Sequence, residues 1–289
     1  MPVVVTGGSG LVGRAAIRSF GERSPEVRAY VRRQGAVGPL RELGAKVAVG
    51  DIDDVDTLAV VMRGAHTVCH LVGGLDLPDD HAYERVNVGS VVATLEAAHQ
   101  AKVSRFLFLS YPGADPASEN AYLRAKGRAE SAVEGSGLES VIVRCTHVYG
   151  PGSTWLDQMR RLARGVPAAT IGAGSQRIAP VFVDDVGDVL AAADDRAQAV
   201  AGRWALEGPE RLTADEFAAR LSGRRRWTLH LSPSAANRAT RLVRKAVSVT
   251  ALEVLAADSL AESQLPDAAA EFGVTRTSLE DGLQRSLER

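Results

Sequence analysis

Val3-Val4-Val5-Thr6-Gly7-Gly8-Ser9-Gly10-Leu11-Val12-Gly13 decides the fold of this chain. Three β-branched residues predict a strand, the glycines a tight loop, and the run Leu11, Val12, Ala15, Ala16, Ile17 a helix. Gly7 lets the chain turn, Gly10 lets backbone approach a ligand, and Gly13 lets the helix pack on its strand. The free N–H groups of Ser9, Gly10, Leu11 and Val12, with the positive end of the helix dipole, suit a pyrophosphate. The alternative is an ordinary Gly-rich βα turn. The position of the loop, after a strand and at the head of a first helix, favours dinucleotide binding.

Outward from this loop, apolar runs predict strands at Val3–Thr6, Val27–Val31, Lys46–Val49, Thr67–Leu71, Arg105–Leu109 and Ser140–Arg144. Helical patterns lie between them at Leu11–Glu22, Asp54–Met62, His81–Ala101 and Glu119–Glu134. Near-continuous apolar strands alternating with amphipathic helices imply α/β architecture, a parallel sheet covered on both faces and doubly wound. This sets residues 1–150 as a dinucleotide-binding domain. Gly and Pro recur after Tyr149-Gly150-Pro151-Gly152, and a return segment falls at about 176–200. Residues 151–175 and 201–289 are expected to form a smaller, mostly helical substrate lobe over the strand C-termini, where ligands of open α/β sheets bind.

The totals bound the partners. The chain has 289 residues, 45% hydrophobic and 24% charged, with net charge −1. That balance gives no reason to expect nucleic acid, and no apolar run approaches a membrane span. Cys69 and Cys145 sit in apolar runs and read as buried thiols of a reducing compartment. Neither has a neighbour at ligand spacing, so no metal site is expected. The N-terminus enters a strand without an export signal, and a cytoplasmic protein is expected.

The second strand ends in Arg32-Arg33 with no carboxylate. An acidic residue there would favour NAD, whereas arginines favour a 2′-phosphate and hence NADP. A charge-assisted hydrogen bond worth roughly 1.5–3 kcal/mol gives a preference of about 10- to 150-fold. A solvated basic strand end is the alternative. Asp51, past the third strand, can accept from an adenine amino group while Ile52 packs on the ring; equally, it can cap the helix from Asp54. Leu71-Val72-Gly73 brings glycine to the fourth strand end, where a cofactor can pass close. Tyr122 and Lys126 stand at i and i+4 on one helix face. A Lys ammonium there would lower the phenol from its usual value near 10 and make it an acid or base for an alcohol or carbonyl. A surface Tyr over a Lys stem is the alternative.

Taken together, these motifs resemble the extended or atypical short-chain dehydrogenase/reductases of the epimerase/dehydratase-like kind. The resemblance is carried by Thr6–Gly13, Gly50-Asp51, Tyr122 with Lys126, Arg144 with Val148-Tyr149-Gly150-Pro151-Gly152, and Val183-Asp184-Asp185-Val186, with echoes at Val86-Asn87-Val88 and Gly208-Pro209-Glu210. It implies a Rossmann-type sheet and a Tyr–Lys–Ser/Thr centre: Tyr122 as acid/base, Lys126 on the ribose, and a hydroxyl after the fifth strand. The usual hydroxyl position is occupied by Tyr111, so Ser110 serves, Tyr111 substitutes, or the centre is incomplete. His147 and Val148 are expected near the nicotinamide, with His147 an extra acid/base or a hydrogen-bonding bystander. The leading expectation is an NADP-dependent oxidoreductase (NAD remaining open) acting on a carbonyl or hydroxyl of a small molecule. The alternatives are an NAD-dependent nucleotide-sugar epimerase or dehydratase, and a non-catalytic sensor or assembly subunit. The helices at His81–Ala101 and Glu119–Glu134 form a dimer face in many relatives, which leaves a homodimer open. Arg224-Arg225-Arg226 reads as a solvated turn, and Arg238, Arg241, Arg244 and Lys245 as a basic helix face.

Overall fold

A computed structural model describes residues 1–194, 201–224, 227–242 and 247–287. The sheet half begins β1 (Val3–Thr6), α1 (Leu11–Arg23), β2 (Val27–Val31), α2 (Val37–Glu42), β3 (Lys46–Val49), α3 (Val55–Met62) and β4 (Thr67–His70). Next come α4 (Asp80–Tyr83), a π-helical turn over Glu84–Gly89 and α5 (Ser90–Gln100). The helix expected as one piece is therefore interrupted by wider turns, a feature often found at functional sites. The half closes with β5 (Arg105–Ser110), α6 (Ala121–Glu134) and β6 (Glu139–Cys145).

The rest comprises β7 (Val148–Tyr149), α7 (Thr154–Arg164), β8 (Ala168–Ile171), β9 (Arg177–Ile178), β10 (Val181–Phe182), α8 (Val183–Asp194), β11 (Gly202–Leu206), β12 (Leu212–Thr213), α9 (Ala214–Ser222), β13 (Thr228–Leu231), α10 (Pro233–Leu242), α11 (Val249–Ala256), α12 (Ala268–Phe272) and α13 (Leu279–Leu287). The main sheet is parallel, in the order β11-β6-β5-β4-β1-β2-β3.

Strand alternation sends Val3, Val5, Leu107 and Val143 to one face, against α1, α8 and α12. Val4, Phe106, Phe108 and Ile142 go to the other, against α3, α5 and α6. The central strands are thus buried on both faces, as their continuous apolar composition requires, while the edge strand β3 stays partly exposed. A separate core of Tyr149, Leu156, Phe182, Phe217 and Leu283 holds the lobe.

One expectation is corrected. Gly202–Leu206, assigned to the lobe, pairs in parallel with β6 and makes a seventh strand, with α12 packed beneath it. Trp204 and Leu206 bury their side chains in the main core, and that burial decides their place. Arg224, Arg238 and Arg241 are exposed; Arg225, Arg226, Arg244 and Lys245 lie outside the described residues. No described helix is long and apolar enough to cross a membrane.

Candidate active site

All strands of the main sheet run the same way, so their C-terminal ends lie along one edge. In spatial order this edge carries Asp51, Arg32, the glycine loop, Leu71–Gly73, Ser110 and Thr146–Val148. The chain order reverses between β1 and β4, which makes the loop after β1 the switch point where such sheets bind ligands.

The glycines at the loop are sterically required. Gly7 has φ +73°, and a Cβ there would lie 2.6 Å from the Leu71 carbonyl carbon. A Cβ on Gly13 would lie 2.4 Å from the Gly7 oxygen, so α1 touches the loop backbone. Gly10 caps α1 and, with Ser9, is exposed; Leu11 and Val12 are half-buried in the first turn, which contains no acidic residue. The positive helix end is therefore uncompensated within its own first turn, and the cradle fits a pyrophosphate. Arg14, which the sequence reading passed over, donates from Nη1 to the Ser9 carbonyl at 2.7 Å and adds a cation beside the loop.

Arg32 and Arg33 are exposed at the end of β2, and neither enters an ion pair among the described residues. Asp51 is also exposed. It does not cap α3: Asp54 does, accepting from the Thr57 amide at 3.1 Å. Ile52 is half-buried and packs on the α3 side of the core. Past β4, Leu71 and Val72 are half-buried and Gly73 is exposed. Asn87, set in the π-helical turn, accepts from the Gly74 amide at 2.9 Å and donates to its carbonyl at 3.0 Å. This loop passes close to Lys126, for a Cβ on Gly73 would lie 3.8 Å from its Nζ.

The Asn120 side chain caps α6, accepting from the amides of Tyr122 and Leu123. Tyr122 and Lys126 follow one turn apart on its buried face, 8% and 7% exposed. Lys126 Nζ donates to the Leu109 carbonyl at 2.8 Å and stands 4.6 Å from the Phe108 ring centroid. Burial brings this ammonium down to about 8, opposed by the nearby Glu130 carboxylate. The expected lowering of the Tyr122 phenol is not what the packing produces. Burial pushes it well above the ordinary tyrosine range, and neighbouring Tyr111 pushes in the same direction.

Two hydroxyls compete for the third position. Ser110 is 4% exposed, and its Oγ is buried without a hydrogen-bond partner among the described residues. Tyr111 is already engaged: it donates to Ser259 Oγ at 2.8 Å and lies 3.3 Å from His147 Nδ1. Its ring packs edge-on to Tyr122 at 5.7 Å. His147 is buried rather than lining the open edge, and its ring tilts over Trp155 at 4.9 Å. Burial lowers it to about 4, so it is neutral at pH 7. Val148 is half-buried in β7. Tyr122, Lys126, Ser110, Tyr111 and His147 thus gather at one end of the edge, while Arg32, Arg33 and Asp51 stand at the other. Ser259 and Trp155 join the cluster from distant segments.

A glycine cradle at the switch point of a doubly wound sheet defines a dinucleotide-binding α/β protein. The chain belongs to the NAD(P)H-binding family, whose model matches residues 7–193. Its kinship with extended, epimerase/dehydratase-like short-chain dehydrogenase/reductases is consistent across sequence and fold. Ceramide reductase of Caulobacter vibrioides is 30% identical over 190 residues, covering 66% of this chain and 60% of that protein. A 4-hydroxy-2-methyl-3-oxo-4-farnesyl-3,4-dihydroquinoline-1-oxide ketoreductase of Stigmatella aurantiaca is 28% identical over 174 residues, covering 53% of this chain and 52% of that one. The matches therefore span less than two thirds of either relative. Among solved structures, triphenylmethane reductase of Citrobacter sp. complexed with NADP(H) superposes with TM-score 0.78 at 18% identity, covering 99% of this chain and 100% of that chain. UDP-glucose 4-epimerase of Thermotoga maritima superposes with TM-score 0.75 at 18% identity, covering 100% and 98%.

Proposed function

We propose that the protein is an NADPH-dependent reductase of a small-molecule carbonyl compound. One observation carries this reading: the unpartnered, buried Oγ of Ser110, between Leu109, whose carbonyl holds Lys126, and Tyr111, whose ring packs on Tyr122. A buried hydroxyl without a partner costs about 1–3 kcal/mol, and a carbonyl oxygen would satisfy it. Bound reduced nicotinamide would supply the hydride to the carbonyl carbon. Ser110 donates a hydrogen bond to the carbonyl oxygen and Tyr122 gives that oxygen its phenolic proton. Burial keeps the Tyr122 phenol protonated at neutral pH but makes it a weaker acid, so its proton donation depends on a cation that steadies the phenolate. The Lys126 ammonium, one turn along α6, stabilises the phenolate left behind. The reductase names of two relatives support the same class. For the cofactor, the exposed Arg32 and Arg33 favour a 2′-phosphate.

The test is a paired titration with NADPH and NADH, followed by nicotinamide fluorescence. NADPH is expected to bind at least tenfold more tightly, with the preference collapsing in Arg32→Ala. Tyr122→Phe should lower turnover on a carbonyl panel about 100-fold or more while leaving NADPH affinity in place. NADH preference, or NAD retained through purification, would overturn the cofactor assignment and point to nucleotide sugars. Full turnover in Tyr122→Phe would overturn the catalytic one.

A further inference from the structure

Two of the buried polar atoms that have no partner among the described residues belong to side chains lining one small cavity. The Trp155 indole is clamped between His147, at 4.9 Å, and Phe217, stacked at 5.4 Å and 11°. Its Nε1, a donor only, is buried with no acceptor. Gln176 is 7% exposed. Its Nε2 donates to the carbonyls of Ile171 and Leu255, which fixes the amide and leaves Oε1 a buried acceptor with no donor. The cavity that Trp155, Gln176 and His147 line measures about 20 Å³. One oxygen needs roughly 10–15 Å³ of such space, so it admits a hydroxyl and not a ring.

We infer that Trp155, Gln176 and His147 form a recognition site for a single hydroxyl group, carried by the substrate away from its reacting carbonyl. The inference rests on the carbonyl-reductase reading and narrows its substrate class. A hydroxyl both donates and accepts, so it answers the indole N–H and the amide oxygen together. The remaining lining, including Met159, Ile178, Phe217 and Leu255, is largely apolar, and no charged residue is among it. A phosphate or carboxylate would lose its hydration there without gaining a counter-ion. The site therefore selects an uncharged, apolar carbonyl compound with a distal hydroxyl. It lies beside the reactive end: the His147 ring that lines it stands 3.3 Å from the Tyr111 hydroxyl, and Tyr111 packs on Tyr122.

Water has the same hydrogen-bonding chemistry, and the experiment separates the two sources. The probes are acetophenone and para-hydroxyacetophenone, titrated into the protein saturated with oxidised NADP. Binding is read from the indole N–H resonance of Trp155, assigned by its loss in Trp155→Phe. The hydroxylated ketone is expected to bind about tenfold more tightly and to shift that resonance. Gln176→Met should cut the ratio of the two affinities to below about threefold, and Trp155→Phe, followed by calorimetry, should do the same. Equal affinities with an unmoved indole resonance would mean that the cavity holds water only, and would overturn the inference. So would a preference that survives both substitutions, or binding of neither ketone. None of these results touches the reductase reading, which Tyr122→Phe tests on the wider carbonyl panel.

Discussion

At the residue scale, the choice between Ser110 and Tyr111 turns on which hydroxyl is free. Position in the motif favours Tyr111, but its phenol is engaged with Ser259 and His147, whereas Ser110 Oγ has no described partner. Removing one donor from a developing oxyanion costs about 100-fold in turnover. Ser110→Ala is therefore expected to lose about that factor with NADPH affinity retained. Tyr111→Phe should lose far less, because its hydroxyl holds the lobe rather than the substrate. Single-turnover rates beside NADPH titrations check this, and the reverse order would assign the role to Tyr111. The sequence made the candidates visible and could not rank them, since the partner that occupies Tyr111 comes from residue 259. The same limit applies to Gln176, whose spacing carries no signal, whereas Trp155 and Met159, one turn apart, read as packing residues beside the pocket. Gly7, Gly13, Tyr122 and Lys126 were legible because local backbone geometry and helical period fix their relations.

At the scale of elements, Arg144 is the fastener. From the end of β6 it forms a two-pronged pair with Glu130 of α6, at 2.9 and 2.7 Å, and bonds Glu262 beyond α11 at 2.7 Å. Glu262 in turn accepts from the Gly113 amide, so one network joins α6, the loop after β5 and the C-terminal segment. Glu130 is 1% exposed. Among the described residues, removing Arg144 leaves this buried charge only the longer pair with Arg203 at 3.5 Å, at a cost of up to about 3–5 kcal/mol, while replacing both partners by apolar groups can be nearly neutral. Arg144→Met is expected to destabilise by that amount in urea unfolding, and the double change with Glu130→Met to recover much of it. Equal losses in both variants would show that the pair matters through packing alone. The strand and helix order of this half was readable from alternating apolar runs. The strand Gly202–Leu206 was not. Its place beside β6 depends on the burial of Trp204 and Leu206 in a core assembled by α8 and α12. Helix α2, with Gly38 and Pro39 inside it, carries breaker residues that hide it from periodicity.

At the scale of the whole molecule, two buried histidines tie folding to pH. His70 sits inside the sheet half, with Nδ1 3.0 Å from Thr6 Oγ1 and Nε2 3.3 Å from Ser90 Oγ. His147 sits where the sheet meets the lobe, between Tyr111 and Trp155. Burial lowers His70 to about 3, with the Lys126 charge acting in the same direction, and His147 to about 4. In the unfolded chain both titrate near 6.5. Below that pH the unfolded state takes up protons that the folded state refuses, so stability falls as pH falls. The loss begins near 6.5 and continues until the folded values are reached. Each group contributes a slope approaching about 1.4 kcal/mol per pH unit. Among the carboxylates, hydrogen bonds pull Glu26 and Asp54 down; Asp267 is held down, against its burial, by Arg276 and the Ala269 and Ala270 amides; burial raises Asp185, which works in the opposite sense. Between pH 7 and 5 the two histidines drive the loss of stability, with the raised Asp185 opposing it. Urea unfolding at steps across this interval should give a stability falling with a combined slope approaching about 2.8 kcal/mol per pH unit at its acid end. His147→Gln should remove about half of that slope even though it lowers stability at pH 7. A slope unchanged in that variant would mean that His147 titrates alike in the folded and unfolded states, and that burial does not depress it.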